Sequence, residues 1–297
     1  MRRLRQIKKI LNIFLAEKRK ESIEKAILVI AIIGYIFHLL VILLNTQGVI
    51  HLEQKFFKNP IAAIYTPFSF ILIYEVFLLV YFLPKSITIY IGKQYEIITL
   101  IVIRRIFKDL GYIELNSGWF QNQKDLQFTF DVLTSLILFF LIFLFYKGIK
   151  KRTYTSIEQS DKRGRNIKSF VLLKSILAII LIPTLFILAA YTIVTWAIGV
   201  FHDYNNGILE FSKINSVFFD DFFTLLIIVD VLLLMASFFY SDKFHKIIRN
   251  SGFVISTILI KISFLSVGII NNILIVGAVL FGYLILLIHN LYDENPQ

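Results

Sequence analysis

The 297-residue chain contains no cysteine, so disulfides, thiolate nucleophiles and cysteine-ligated metals are excluded. It also lacks the short motifs that mark common enzymes: there is no HExxH, GxSxG, P-loop or glycine-rich dinucleotide turn. The five histidines do not fall beside carboxylates at metal-ligand spacing. No enzymatic activity, cofactor or metal site is therefore expected. Strict apolar/polar alternation is absent as well, which argues against the strands of a β-barrel. A cleavable signal peptide is not expected, because about 24 highly charged residues precede the first apolar run and no small-x-small pattern follows it.

What is present is apolar. Hydrophobic residues make up 57% of the chain and the mean hydropathy is +0.75, against about 45–50% apolar content in soluble domains. The reading is an all-α polytopic membrane protein. Seven apolar runs stand out, at 26–45, 61–84, 128–147, 169–198, 217–240, 252–270 and 272–291. Most approach or exceed the roughly 20 residues needed to cross a hydrocarbon core.

The net charge of +11 comes from Lys and Arg placed between these runs, which points to topology and not to nucleic acid. Residues 1–24, with Leu4, Ile7, Leu11 and Phe14 at helical spacing among eight basic residues, read as an amphipathic cytoplasmic segment on anionic lipid head groups. A solvated topogenic tail is the plainer alternative. The bilayer is the expected partner, and homo-oligomerisation is left open.

An eighth run, 95–115, holds Arg104, Arg105, Lys108 and Asp109 after a clean apolar stretch. Taken alone it reads as a surface helix. The basic segment 147–168 should lie on the same side as the basic N-terminus, and that requires four crossings before it, so 95–115 is expected to span. Segments 46–60, 116–127 and 199–216 then fall outside and 241–251 inside. About eight spans result, with both termini cytoplasmic.

Two acids lie within apolar runs, Glu75 and Asp230, each followed some thirty residues later by a base, Arg105 and Lys261. Leu72–Leu79 overlays Ile227–Leu234 without a gap, and the acid takes the same place in both. Residues 25–150 and 151–297 are thus expected to be two parallel four-helix units related by an axis along the membrane normal. Counting from the polar segments 84–94 and 241–251 puts all four charges at about 15 Å from the inner face. Each acid is expected to pair with its base.

The first unit, with Tyr74-Glu75-Val76-Phe77-Leu78-Leu79, then Phe82-Leu83-Pro84-Lys85, Tyr90-Ile91-Gly92 and Arg104-Arg105-Ile106, resembles the small four-helix bacterial membrane proteins of the phosphate-starvation-inducible PsiE group. The resemblance covers residues 65–110. It implies a four-helix bundle in the bacterial inner membrane, an acid in the second helix, Pro and a basic residue in the inner linker and an Arg in the third helix. The second unit departs from it, with Lys261 as its base and no Pro in its linker.

Such pairs either lock helix packing or border a path for ions or protons. A voltage-sensor arrangement fits poorly: Arg104, Arg105 and Lys108 share a face, but no long basic array follows. Accessory polar positions are His38, expected as a packing residue or a relay to Glu75, and Asp131, Asp220 and Asp221 near outer helix ends, as caps or an acidic vestibule. Lys174 is expected to snorkel, and Asn271–Asn272 to form an outer turn.

Overall fold

The computed structural model describes residues 16–51, 57, 60–110, 123–156, 170–185, 187–188, 191, 211–240, 244–266 and 268–294. These are helical throughout, with no strand among the described residues. The helices are α1 (Glu17–Thr46), α2 (Tyr65–Phe82, entered through the 3-10 turn Pro60–Ile64), α3 (Ile87–Leu110) and α4 (Gln123–Ser156) in the first half. They are followed by α5 (Phe170–Leu185), α6 (Phe211–Tyr240), α7 (Phe244–Phe264) and α8 (Ile269–Glu294). Residues 1–15 of the amphipathic segment, and residues 116–122 and 199–210 of the expected outer segments, lie outside the described residues.

Local chemistry sets the boundaries. Glu17 places an acid at the N-terminal end of the α1 dipole. The same helix closes with the Gln47 amide on Leu43 O (3.0 Å), after which Gly48 turns with φ +76°, a conformation costly for any residue with a Cβ. Pro84, with no amide to donate, stops α2, and the chain restarts as α3 within three residues.

Successive helices run antiparallel where they pack, α1 through α4 in the first half and α6 through α8 in the second. Tyr74 of α2 reaches Glu24 near the start of α1, while His38, further along α1, meets Thr66 at the start of α2. The Lys174 ammonium, in the first turns of α5, donates to Lys85 O beside Pro84, so α5 starts at the same end as α3. We call this the linker end and the other the distal end. Between halves, α4 packs on α8 and α3 on α7.

Polarity is inverted relative to a soluble protein. Exposed positions are aliphatic or aromatic along whole helices: Ile32, Ile33, Ile36 and Phe37 on α1, Phe139, Phe140 and Phe143 on α4, Ile273, Leu280 and Leu284 on α8. Gln94, Asp131, Asp230, Ser256, Thr257, Asn271 and Asn272 are buried. An apolar surface of this extent has no counterpart on a soluble monomer. Five helices, α1, α4, α6, α7 and α8, are long and apolar enough to cross a membrane.

The helix α3 differs. Its charges set it apart from those five, yet Tyr90, Ile91, Gln94, Tyr95, Ile97, Ile98, Thr99 and Val102 are all buried and cover more than half of its circumference, while Lys93 and Glu96 on the remaining face are 23% and 28% exposed. A helix covered over so wide an arc is packed into the bundle and does not lie free on its surface. Two close approaches fix it there. Gly92 leaves room for the Tyr146 hydroxyl of α4, and Gly282 of α8 sits where any Cβ would overlap the Tyr95 hydroxyl.

Candidate functional site

The polar side chains inside the protein gather along α3 in three groups. Toward the linker end, the Lys93 ammonium pairs with Glu96 (2.6 Å), the Tyr146 hydroxyl donates to Glu96 (2.5 Å) and the Tyr74 hydroxyl donates to Glu24 of α1 (2.7 Å). Glu75 lies in the field of Glu96, Lys93, Glu24 and Lys20, and its Oε2 is buried without a hydrogen-bond partner among the described residues.

The second group joins α3 to α6 and α7. Gln94 Nε2 donates to Asp230 Oδ2 (2.9 Å), and the Thr257 hydroxyl donates to Gln94 Oε1 (2.9 Å), so one amide is used from both sides. Asp230 is 3% exposed and Gln94 1%. Beside them lies a small cleft, with room for about one water, lined by Tyr90, Ile91, Asp230, Leu233, Asn250 and Phe253. At the adjacent positions on α3 and α7, the Tyr95 hydroxyl is bonded to Ser256 Oγ (2.8 Å), which donates to Ala278 O of α8.

The third group is toward the distal end. The Arg105 guanidinium grips Asp131 of α4 with two bonds, Nε to Oδ2 (2.5 Å) and Nη2 to Oδ1 (2.6 Å). It also donates to Asn271 Oδ1 (2.9 Å) and Asn272 Oδ1 (2.6 Å) on α8. Asp131, fully buried, accepts further bonds from Gln127 (2.7 Å) and Asn272 (2.7 Å), while Asn271 donates to Ser263 O of α7 (2.5 Å). A planar guanidinium with fixed donors matches this set of planar acceptors.

Neither expected ion pair forms. Arg105 binds Asp131 and not Glu75, while Asp230 is held by Gln94 and the Lys261 ammonium meets the Thr224 hydroxyl. The cause is helix length. The chain becomes helical again at Ile87 and Phe244, inside the segments read as linkers, so Arg105 and Lys261 stand about 27 Å and 25 Å along their helices. Glu75 and Asp230 lie only about 10 Å and 15 Å from the linker-end termini of α2 and α6. The four charges do not share one depth.

Other positions move too. His38 Nδ1 is bonded to Thr66 Oγ1 (2.7 Å) and its ring stands edge-on to Phe57, so it packs α1 on α2 and makes no relay to Glu75. Asp131 is the centre of a buried network and not a cap, and Asn271 and Asn272 belong to the first turn of α8, with their side chains in that network. Lys174 does not snorkel; it is 3% exposed and bonded to a backbone carbonyl. Arg104 is buried and Asp221 exposed, while the side chains of Lys108 and Asp220 lie outside the described residues.

Reasoning from charge alone missed Gln94, Tyr95, Ser256 and Thr257, neutral groups that carry most of the central bonds. Their signal in the sequence was hydrogen-bonding side chains within otherwise apolar helices, where each needs a buried partner. Comparison with protein-family models, with curated proteins and with solved structures finds no match to this chain.

Proposed function

We propose that the protein is an integral inner-membrane protein that moves protons or small cations, with α3 crossing the bilayer as its polar axis and Asp230 as the group that takes up the cargo. The observation that carries this reading is Asp230 itself. Its buried carboxyl is bonded by the neutral Gln94, is in no ion pair among the described residues and borders a cleft. An acid kept inside a membrane bundle without a paired base is costly, and such groups mark ion and proton pathways. Glu75, with its unpartnered Oε2 nearer the linker end, supplies a second station on the same side of α3 as Lys93 and Glu96.

The contacts of α4 with α8 and of α3 with α7 are those a two-fold relation between residues 25–150 and 151–297 would generate, and they support the duplicated unit. The short linker at Pro84 and Lys85 fits the PsiE-like unit. With α2, α3 and α5 counted as spans, the alternating helix directions put both termini and the basic end of α4 on the cytoplasmic side.

A second reading, a non-conducting membrane component, is favoured by the distal network, where every member is bonded to another and both halves of the chain are tied together. Flux measurements in proteoliposomes separate the two. The transport reading expects proton, Na⁺ or K⁺ flux from the wild-type protein, retained by Asp230→Glu and lost in Asp230→Asn of equal folded yield. Absence of flux for all three ions in the wild-type protein removes it.

A further inference from the structure

We infer that the linker end carries a binding site for a borderline divalent transition metal of the Zn²⁺ class, formed by His245 of α7 with His289 and Asp293 of α8. No metal site is expected from the sequence, where the His289/Asp293 spacing is passed over; His245 is far from both, so only the antiparallel packing of α7 on α8 brings the three together. His289 and Asp293 are four residues apart on one helix face, the spacing that aims two side chains at one point.

The geometry is close to that of a filled site. His245 Nε2 lies 2.9 Å from Asp293 Oδ1, and His289 Nε2 lies 3.4 Å from Asp293 Oδ2. Zinc bonds of about 2.0–2.1 Å in tetrahedral array put neighbouring ligand atoms about 3.3 Å apart. One ligand atom from each of the three residues falls within a 4.8 Å span, so a metal has to draw the widest edge in by about 1.5 Å. The imidazoles already stack, with centroids 5.1 Å apart.

Arg249 shows that the ligand set presents a lone pair. Its Nη1 lies 3.0 Å from His289 Nε2, and a guanidinium only donates, so Nε2 is the acceptor and carries the lone pair a metal needs. Arg249 can release it, because its Nε and Nη2 stay bound to Asn250 Oδ1 (3.2 and 2.9 Å). The metal would replace Nη1 at His289. Asp293 is 31% exposed and His289 1%, so the site is anchored in the protein at His289 and reaches its surface at Asp293, where water would complete the four ligands. Two imidazoles, one carboxylate and an open position suit zinc better than magnesium or calcium.

The test is Zn²⁺ titration of the full-length protein, purified in detergent with a tag that contains no histidine, followed by calorimetry and zinc-edge X-ray absorption. One equivalent per chain is expected, with imidazole and carboxylate ligands at about 2.0–2.1 Å. His289→Gln and His245→Asn should each weaken binding by at least about 100-fold, beyond the 10–100-fold typical of groups that only support a ligand. The partly exposed His245 keeps the test open if the buried His289 variant fails to fold. The control is His51→Gln, an exposed histidine at the distal end of α1, which should bind like the wild-type protein. Absence of stoichiometric Zn²⁺ binding, or equal affinity in wild type and His245→Asn, overturns the proposal.

Discussion

Arg105 can be tested against two acids at once, since helical spacing read from sequence pairs it with Glu75 and the structure pairs it with Asp131. Asp131→Leu removes a carboxylate that accepts two of the four guanidinium bonds and leaves the cation among Asn271, Asn272 and apolar side chains. Breaking a buried pair from one side costs about 3–5 kcal/mol. Asp131→Leu should cost toward the lower end of that range, because the Arg105 side chain is 29% exposed and keeps Asn271 and Asn272, whereas Arg105→Leu strands a fully buried carboxylate. The double variant should then recover about 2–3 kcal/mol relative to the sum of the single changes, the coupling expected of residues in one network.

Glu75 sits about 15 Å from Arg105 along the bundle axis, so Glu75→Leu and Arg105→Leu should add to within about 0.5 kcal/mol. The assay is reversible unfolding in mixed micelles with rising SDS, followed by far-UV circular dichroism, on the singles and both doubles. If Arg105 couples to Glu75 by 2 kcal/mol or more while Arg105 and Asp131 merely add, the assignment of the distal network is wrong.

Gly282→Ala should destabilise the protein by about 3 kcal/mol, the upper part of the range for overpacking, because the new methyl overlaps a Tyr95 hydroxyl held by Ser256 and backed by Phe145. Adding Tyr95→Phe should return part of that loss in the same unfolding assay, and equal stability of Gly282→Ala and wild type would refute the close approach. The natural absence of cysteine permits a topology test without background: single cysteines at Gln47, Ser86 and Asp109 are labelled in intact cells with a membrane-impermeant maleimide. Gln47 and Asp109 should react from outside and Ser86 only after permeabilisation. Ser86 and Asp109 reacting from the same side would show that α3 does not cross.

The membrane class and the positions of the helices were legible because the apolar runs are long and uninterrupted; each of the eight runs overlaps a helix in the described residues. The boundaries at the linker end were not. Lys85, Ser86, Lys93 and Gln94 in one segment, and His245, Lys246, Arg249 and Asn250 in the other, read as polar linkers, since charge near a membrane face ordinarily means water. In the structure most of them lie within α3 and α7, and several are satisfied by side chains: Lys93 by Glu96, Gln94 by Asp230 and Thr257, Arg249 by Asn250 and His289. Polarity therefore marked helix–helix contact there and not the end of a helix.

That one misreading accounts for the wrong charge pairs. Starting α3 at Ile87 instead of about residue 95 moves Arg105 some 12 Å toward the distal end, out of the reach of Glu75 and level with Asp131. A buried ion takes the partner at its own depth and on its facing side, so its choice is set by where its helix begins and not by which opposite charge stands out in the sequence. The same count explains why the acids are left without bases. Once Arg105 and Lys261 belong to the distal half, Asp230 is bonded by the neutral Gln94 and is in no ion pair among the described residues, with Lys174 in its field but bonded to Lys85 O, and Glu75 is opposed by Lys93, already paired with Glu96. The two carboxyls are left in no ion pair among the described residues, and the charge pair at Asp131, which lies within the first half, is tied to the second half through Asn271 and Asn272.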